Sequence, residues 1–217
     1  MVAAHTARLA AVVLLASGCA SGAAVSSHRP LPPPAGEGRA VARSTRSAGP
    51  AVTSERPERP DVRRALDVAR SLLGKRSVVF EGHDYGPGCA ALVRAAFDGA
   101  GRPLPPSARD ASSLHAVAAS QGALRNGLRA APGDVLFLAD RPGGAPTHVG
   151  LVSRVDPDGT AVVLHRLARG VARLRVNLGY PGRVADPATG KRLNDTLLVG
   201  STAVPAGSLV VGVATLL

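Results

Sequence analysis

Aromatic residues are scarce in this sequence. This scarcity limits which side chains can build the core and which partners the chain can bind. Phe, Tyr and Trp make up 2% of the 217 residues, so any core must be built from small aliphatic side chains. The formal net charge is +11, but no stripe of Arg and Lys carries the interleaved aromatics that single-stranded nucleic acid needs. No nucleic-acid-binding module is recognisable either. The dispersed positive charge instead suits a polyanion, such as an anionic cell-wall polymer or a membrane surface.

The apolar run near the start of the chain, residues 9–16, is too short to span a bilayer. It follows one early Arg and precedes small residues, and this pattern predicts an export signal over residues 1–19. The end of the stretch, "LLASGCA", resembles a bacterial lipoprotein signal, in which Cys19 becomes the lipidated first residue of the mature protein. An ordinary secretory signal or an unprocessed anchor is the alternative, because Ala16 stands where Leu is usual. We expect an exported protein that is lipid-anchored at the bacterial cell envelope, in the periplasm or at the outer membrane.

Cysteine is rare too, since the chain has only two, Cys19 and Cys89. If Cys19 carries lipid, no disulfide can form within the chain. The exported protein then keeps one free thiol in an oxidising compartment, which indicates that the thiol has a function.

Composition divides the chain into a tether and a folded domain. Residues 20–60 are rich in Pro, Ser, Ala, Gly and Arg and show no apolar periodicity, which predicts a disordered tether. Residues 61–217 form the domain. Its first helix is expected to follow an N-cap at Asp61 and to end at Gly74. The second is expected over residues 89–98, and Ser107 and Asp110 have the spacing of a capping box that opens a third.

Short alternating or branched runs follow Pro132 and predict the strands of an antiparallel sheet. They are "DVLFLA", "HVGLVSRV", "TAVVLHRL", "VARLRV" and, at the end of the chain, "SLVVGVATLL". Residues 178–207 are expected to be an irregular excursion that serves as a lid or a binding surface. Helices first and strands second predict an α+β domain, with one layer of helices packed on the sheet.

Cys89 follows "GPG" and begins an apolar-periodic run, so it is expected at the N-terminus of a helix. Helix N–H groups and the helix dipole lower a thiol pKa, and the same N–H groups can receive the oxyanion of an acyl-transfer intermediate. Small buried cysteines are also common in cores. Taken alone, Cys89 fits a nucleophile and a buried thiol equally well.

Two histidines lie where they can serve such a nucleophile. His148 opens one predicted strand and His165 ends the next, and pairing through the "DPDG" turn brings both to one end of a hairpin. One histidine could then take the thiol proton while the other fixes its tautomer. A lone histidine is more often structural, but two at one hairpin end together with a helix-capping Cys favour a catalytic site.

Four motifs in order, "GCAALV", "APGDVLFL", "THVGLV" and "VVLHRLARGV", lie within residues 62–176. Their order and spacing resemble those of the NlpC-type cell-wall peptidases, which are small papain-like cysteine hydrolases. The resemblance implies a papain-like fold, with Cys89 as nucleophile, His148 as general base and acid, and His165 as the orienting residue. It gives Asp134 a structural role. The related CHAP amidases and endopeptidases share the Cys-then-His order, so that branch stays open.

The resemblance also implies the reaction, which is hydrolysis of an amide bond in the stem peptides of peptidoglycan without metal or organic cofactor. The family's Asp-Cys-Ser-Gly is replaced here by Gly-Cys-Ala-Ala, which puts Ala90 at a position that helps recognise the substrate. Tyr85 is the candidate to replace the family's aromatic residues there. These losses leave a second hypothesis open, that of a non-catalytic, lipid-anchored module that binds wall peptides or a protein. A third keeps the thiol but changes the reaction, to acyl transfer or to a substrate outside the wall.

Overall fold

The computed structural model describes residues 59–125 and 129–217. The predictions for the export signal, for Cys19 and for nearly all of the tether therefore lie outside the described residues. No helix in the described part is both long and apolar enough to cross a membrane.

The first helix, α1 (Pro60–Ser71), begins two residues earlier than the sequence predicts. Pro60 takes the first helical position, which suits its fixed φ and missing N–H, and Arg59 is the N-cap in place of Asp61. Asp61 lies in the first turn instead, where a carboxylate interacts favourably with the helix dipole. The helix buries its apolar face, which consists of Val62, Ala65, Leu66, Val68 and Ala69.

The second helix, α2 (Ala91–Gly99), starts two residues after Cys89 and has Ala90 as its N-cap. It packs closely on α1, because a side chain on Gly99 would come within 2.5 Å of Val68 Cγ2. The buried apolar residues of both helices belong to one core cluster.

The third helix, α3 (Ala111–Ser120), has a capping box, but not the one that the sequence predicts. Asp110 is the N-cap, and its side chain accepts a hydrogen bond from the Ser113 N–H at 2.8 Å. The Ser113 hydroxyl in turn accepts from the Asp110 N–H at 3.0 Å. The predicted pair of Ser107 and Asp110 is therefore wrong by three positions, since the helix begins after Asp110 and not after Ser107.

Six strands in the described part of the chain form one antiparallel sheet. Its strands are β3 (Leu124–Arg125), β4 (Val135–Ala139), β5 (Pro146–Val155), β6 (Thr160–Leu167), β7 (Gly170–Asn177) and β10 (Val210–Ala214). Consecutive strands from β4 to β7 pair as hairpins, and β10 returns to lie between β3 and β4. The prediction of an α+β domain with an antiparallel sheet is confirmed.

Two short hairpins lie outside this sheet. The first joins β1 (Val79–Phe80) to β2 (His83–Asp84), between α1 and α2. The second joins β8 (Thr196–Val199) to β9 (Thr202–Pro205) and is followed by a 3₁₀ turn, Ala206–Leu209. The segment that the sequence predicts to be irregular thus contains regular structure of its own.

The sheet is covered on both faces, by the predicted layer of helices on one face and by the segment after β7 on the other. One face packs against the helices through Val135, Phe137, Val149, Leu151 and Leu164. The other face forms a second core, and its members include Leu136, Leu138, Val152, Val163, Leu174, Val176, Leu178, Ala206 and Leu209. The segment after β7 therefore covers the second face of the sheet, where burial of apolar surface stabilises it.

A buried amide fastens this segment to the sheet. Asn194 is fully buried, and its side-chain oxygen accepts from the N–H of Asn177 at 2.8 Å and from that of Gly207 at 3.0 Å. Its side-chain nitrogen donates to the carbonyls of Tyr180 and Arg183 at 3.0 and 2.7 Å. One side chain thus makes four hydrogen bonds, as a buried amide requires.

Candidate active site

A pocket of about 500 Å³ opens where the loop before α2 meets the hairpins of the sheet. Its lining residues are Pro87, Cys89, His148, Arg166, Leu167 and Ala168. The structure therefore brings Cys89 and His148 to one pocket, although 58 residues of chain separate the thiol from the start of "HVGLV". None of the residues that line this pocket belongs to the segment after β7. The expected role of that segment as a lid or a binding surface stays a prediction.

The Cys89 thiol is half-buried and lies where two helix starts meet strand β5. Its Sγ is 3.8 Å from the carbonyl oxygen of Thr147, to which the S–H donates. Burial raises the pKa of the thiol, and this effect exceeds the opposing effect of the backbone N–H groups beside the sulfur. Those N–H groups belong to Ala111, Val149, Ala90 and Cys89 itself.

The raised pKa corrects the expectation that the helix start makes Cys89 a ready thiolate. The N–H groups of the helix start do favour the thiolate, as expected, but desolvation favours the neutral thiol more strongly. The resting site accordingly holds a protonated sulfur, whose proton is engaged by a backbone carbonyl.

His148 and His165 meet as the hairpin of β5 and β6 predicts. Nε2 of His148 lies 2.8 Å from Nδ1 of His165, and the two rings are edge to face. The register pairs Gly150 with His165, and the strands join through the turn after Val155. The predicted pairing of these two strands, and with it the meeting of the two histidines, is confirmed.

Both histidines are neutral at pH 7. Burial, reinforced by the repulsion between the two rings when both are protonated, lowers the pKa of His165 to about 4, and the carboxylate of Asp195 opposes this. Burial also lowers the pKa of His148. In a neutral pair one nitrogen donates and the other accepts. When His148 donates from Nε2, its Nδ1 carries the free lone pair that a general base needs.

The two predicted substrate-binding residues are not brought to the pocket surface. Tyr85 is buried, and its hydroxyl donates to the carboxylate of Asp98 on α2. Burial and, after it, this hydrogen bond raise the pKa of Tyr85 to about 12. The side chain of Ala90 is fully buried, so only its backbone N–H can act at the site. Tyr85 thus braces the loop before Cys89 against α2.

Asp134 has the structural position that the sequence suggests. Its buried carboxylate accepts from the guanidinium of Arg125, from the N–H of Ala131 at 2.7 Å and from the hydroxyl of Thr215 at 2.8 Å. It thereby joins the edge strand β3, the turn before β4 and the chain after β10. No group of three or more His, Cys, Asp or Glu in the described ranges is arranged to hold a metal ion.

Arg166 lines the pocket and was not singled out from the sequence. Its terminal nitrogens donate to the carbonyls of Pro87 and, at 3.0 Å, of Arg76. The only sequence signal is its positive charge, because strand alternation predicts that its side chain and that of His165 point to opposite faces. In a chain with 26 Lys and Arg residues that signal is weak.

Comparison with known proteins adds little to this geometry. No known protein-family model matches the chain, and no curated protein matches it in sequence. The chain is similar to a solved structure described as "The crystal structure of Ly7917", at 17% identity and a TM-score of 0.43, and to "The crystal structure of Ly7917 with the hydrolyzing product of MDP", at 18% and 0.38. Each match covers 71% of this chain but only 62% of the other. At these TM-scores the likeness identifies neither a family nor an activity.

Proposed function

We propose that this chain is a cysteine hydrolase of papain-like fold that cleaves peptide or amide bonds in the peptide part of peptidoglycan. The observation that carries the proposal is the arrangement in one pocket of the Cys89 thiol and His148, with Nε2 of His148 held 2.8 Å from Nδ1 of His165. Nucleophile, base and orienting group are the three parts that thiol acyl transfer needs.

The reaction begins from neutral partners. Nδ1 of His148 takes the proton of Cys89 as the sulfur forms a bond to the substrate carbonyl carbon. The backbone N–H groups at the start of α2 receive the oxyanion. His148 then returns the proton to the leaving amine, which departs and leaves a thioester. Water, deprotonated by His148, hydrolyses the thioester and regenerates the thiol.

The neutral resting state sets the order of events at the sulfur. The S–H donates to the Thr147 carbonyl, so the thiol must leave that acceptor and turn to His148 before attack. Because burial disfavours both the thiolate and the imidazolium, proton transfer is expected to accompany attack and not to precede it.

The proposal of a cell-wall substrate is based on the sequence. The four motifs resemble the NlpC-type pattern, and the signal-like start of the chain suits an enzyme that is exported and lipid-anchored through Cys19. A net charge of +11 suits an anionic polymer. Both branches named above, NlpC and CHAP, act on such peptides.

The experiment incubates the full chain with purified peptidoglycan and separates the released muropeptides. The wild-type chain should release new fragments, and Cys89→Ser and His148→Ala should release none above background. His83→Ala is the matched control, because His83 is exposed on β2 and does not line the pocket. Fragments that persist in Cys89→Ser would refute the proposal.

A non-catalytic wall-binding module is the second candidate, and one observation favours it. The S–H is engaged by Thr147 and burial raises the thiol pKa, as in an inert buried cysteine. In that case the chain should sediment with peptidoglycan without releasing fragments, and Cys89→Ser should bind as well as the wild type.

A further inference from the structure

Arg166 is held in one orientation at the wall of the pocket. Its two terminal nitrogens donate to the carbonyls of Pro87 and Arg76, which lie on the loop leading to Cys89. Its Nε is buried and has no hydrogen-bond partner among the described residues. A guanidinium fixed by two backbone carbonyls has already lost much of its side-chain freedom, so a ligand that binds it loses little more.

The positive charge of this guanidinium is not neutralised by the protein. No carboxylate in the described parts of the chain lies within salt-bridge distance of Arg166, whereas Arg125 pairs with Asp134 and Arg175 with Asp195. The pocket lining includes no acidic residue. His148 is neutral at pH 7, because burial lowers its pKa. Arg166 is therefore the fixed charge of the pocket.

We propose that Arg166 is a specificity residue that binds a carboxylate of the substrate beside the bond that Cys89 attacks. A guanidinium has five N–H donors, and the two backbone carbonyls occupy one on each terminal nitrogen. Each terminal nitrogen thus keeps a second N–H, and the pair can bind a carboxylate by charge-assisted hydrogen bonds. The pocket accordingly prefers an anionic peptide to the same peptide in amide form. This inference rests on the site of the proposed function and names its substrate class.

Two alkylating reagents test the charge preference without any substrate. Iodoacetate and iodoacetamide react with a thiol in the same way and differ in carrying a carboxylate or an amide. The full chain with Cys19→Ser has Cys89 as its only thiol. The ratio of the iodoacetate rate to the iodoacetamide rate should fall about tenfold in Arg166→Gln, as expected for the loss of a charged hydrogen bond. Arg166→Lys should keep part of the preference.

Arg169→Gln is the matched control, because Arg169 is exposed on the turn after β6 and does not line the pocket. It should leave the ratio unchanged. Added salt should lower the ratio of the Cys19→Ser chain itself, a measurement that needs no variant at Arg166. An unchanged ratio in Arg166→Gln, equal slowing of both reagents, or a ratio insensitive to salt would overturn the proposal.

A binding measurement separates this inference from the proposed function. Cys89→Ala, in the full chain, is titrated with stem peptides whose carboxylates are free and with the same peptides amidated. If Cys89→Ala binds the free acids more tightly than the amides, and the double variant Cys89→Ala, Arg166→Gln does not, the carboxylate site is supported. This holds even if the wild-type chain releases no fragments. Equal binding of acids and amides contradicts it, even if the wild-type chain is an active hydrolase.

Discussion

Gly150 and His165 are register partners on neighbouring strands, and the missing side chain of Gly150 leaves room for the Cβ of His165. A Cβ built on Gly150 would lie 3.1 Å from the Cβ of His165 and 2.5 Å from Cγ1 of Val163. The glycine of "HVGLV" thus acts on the site through its neighbour: it lets His165 stand within hydrogen-bond distance of His148.

Gly150→Ala is expected to displace His165 and to disturb its hydrogen bond with His148. Overpacking of this kind costs about 1–3 kcal/mol of stability, and the loss of peptidoglycan hydrolysis should exceed what the unfolded fraction explains. Urea unfolding and fragment release, measured on the same preparation, check both. Gly182→Ala is the control, because its Cβ would meet nothing closer than 3.9 Å. Full activity in Gly150→Ala would show that the position of His165 is not critical.

Stability is expected to fall on acidification because His165 is buried in its neutral form. Its pKa is about 4 in the folded protein and 6.5 as the ordinary value, so the unfolded state binds more protons between these pH values. The stability that this group contributes is present above pH 6.5 and is lost as pH falls towards 4. The difference corresponds to about 3 kcal/mol.

Urea unfolding at pH 7 and pH 4.5 measures this dependence. His165→Gln removes the titrating group and keeps a polar side chain, so its stability should change less between the two pH values than that of the wild type. The burial of His148 leaves a smaller dependence in the variant. An equally steep loss in His165→Gln would mean that other groups govern the acid sensitivity.

Alkylation of Cys89 by iodoacetamide should require a higher pH than that of an ordinary thiol. Burial raises the pKa of this thiol, so the reactive thiolate appears only above the usual value of about 8.5. The rate, measured between pH 5 and pH 10 on the chain with Cys19→Ser, should rise through that range, and the same chain in urea provides the reference. A rate that is already at its plateau below pH 7 would mean that the folded site holds a thiolate–imidazolium pair.

Asp134→Ala is expected to destabilise the domain without acting on the chemistry. Removing the buried carboxylate leaves the N–H of Ala131 and the hydroxyl of Thr215 without their acceptor, which costs about 1–3 kcal/mol. Below the melting transition the folded fraction should react with iodoacetamide at the wild-type rate. Asp140→Ala is the control, because its pair with Arg141 is exposed at both ends, and its stability should stay within about 0.5 kcal/mol of the wild type. Comparable loss in both variants would contradict the role given to Asp134.

The strands and the histidine pair could be predicted because their signals are local. "TAVVLHRL" is β6 from its first residue to its last, and the "DPDG" turn is short enough to set the register of β5 and β6. Once that register is known, the meeting of His148 and His165 follows from strand geometry alone.

The remaining errors arise where a side chain has a hydrogen-bond partner distant in sequence, or where burial in the folded domain sets a pKa. The hydroxyl of Tyr85 donates to Asp98 on the next helix, a contact that no spacing rule predicts. The sequence therefore predicts a substrate contact where the structure has a buried structural residue. The effect of the helix start on Cys89 was identified, but the desolvation that outweighs it depends on the whole fold. The position of the segment after β7 on the sheet likewise depends on the buried hydrogen bonds of Asn194, which join residues distant in sequence.

The central claim is that Cys89 is the nucleophile of a peptidoglycan hydrolase, and titration of that single thiol tests it most directly. The chain with Cys19→Ser is alkylated by iodoacetamide to increasing extents, and fragment release from peptidoglycan is measured against the modified fraction of Cys89. The account predicts that the rate of release falls in proportion and reaches background at full modification. Fragment release that survives full modification, or an unmodified chain that releases nothing, would contradict it.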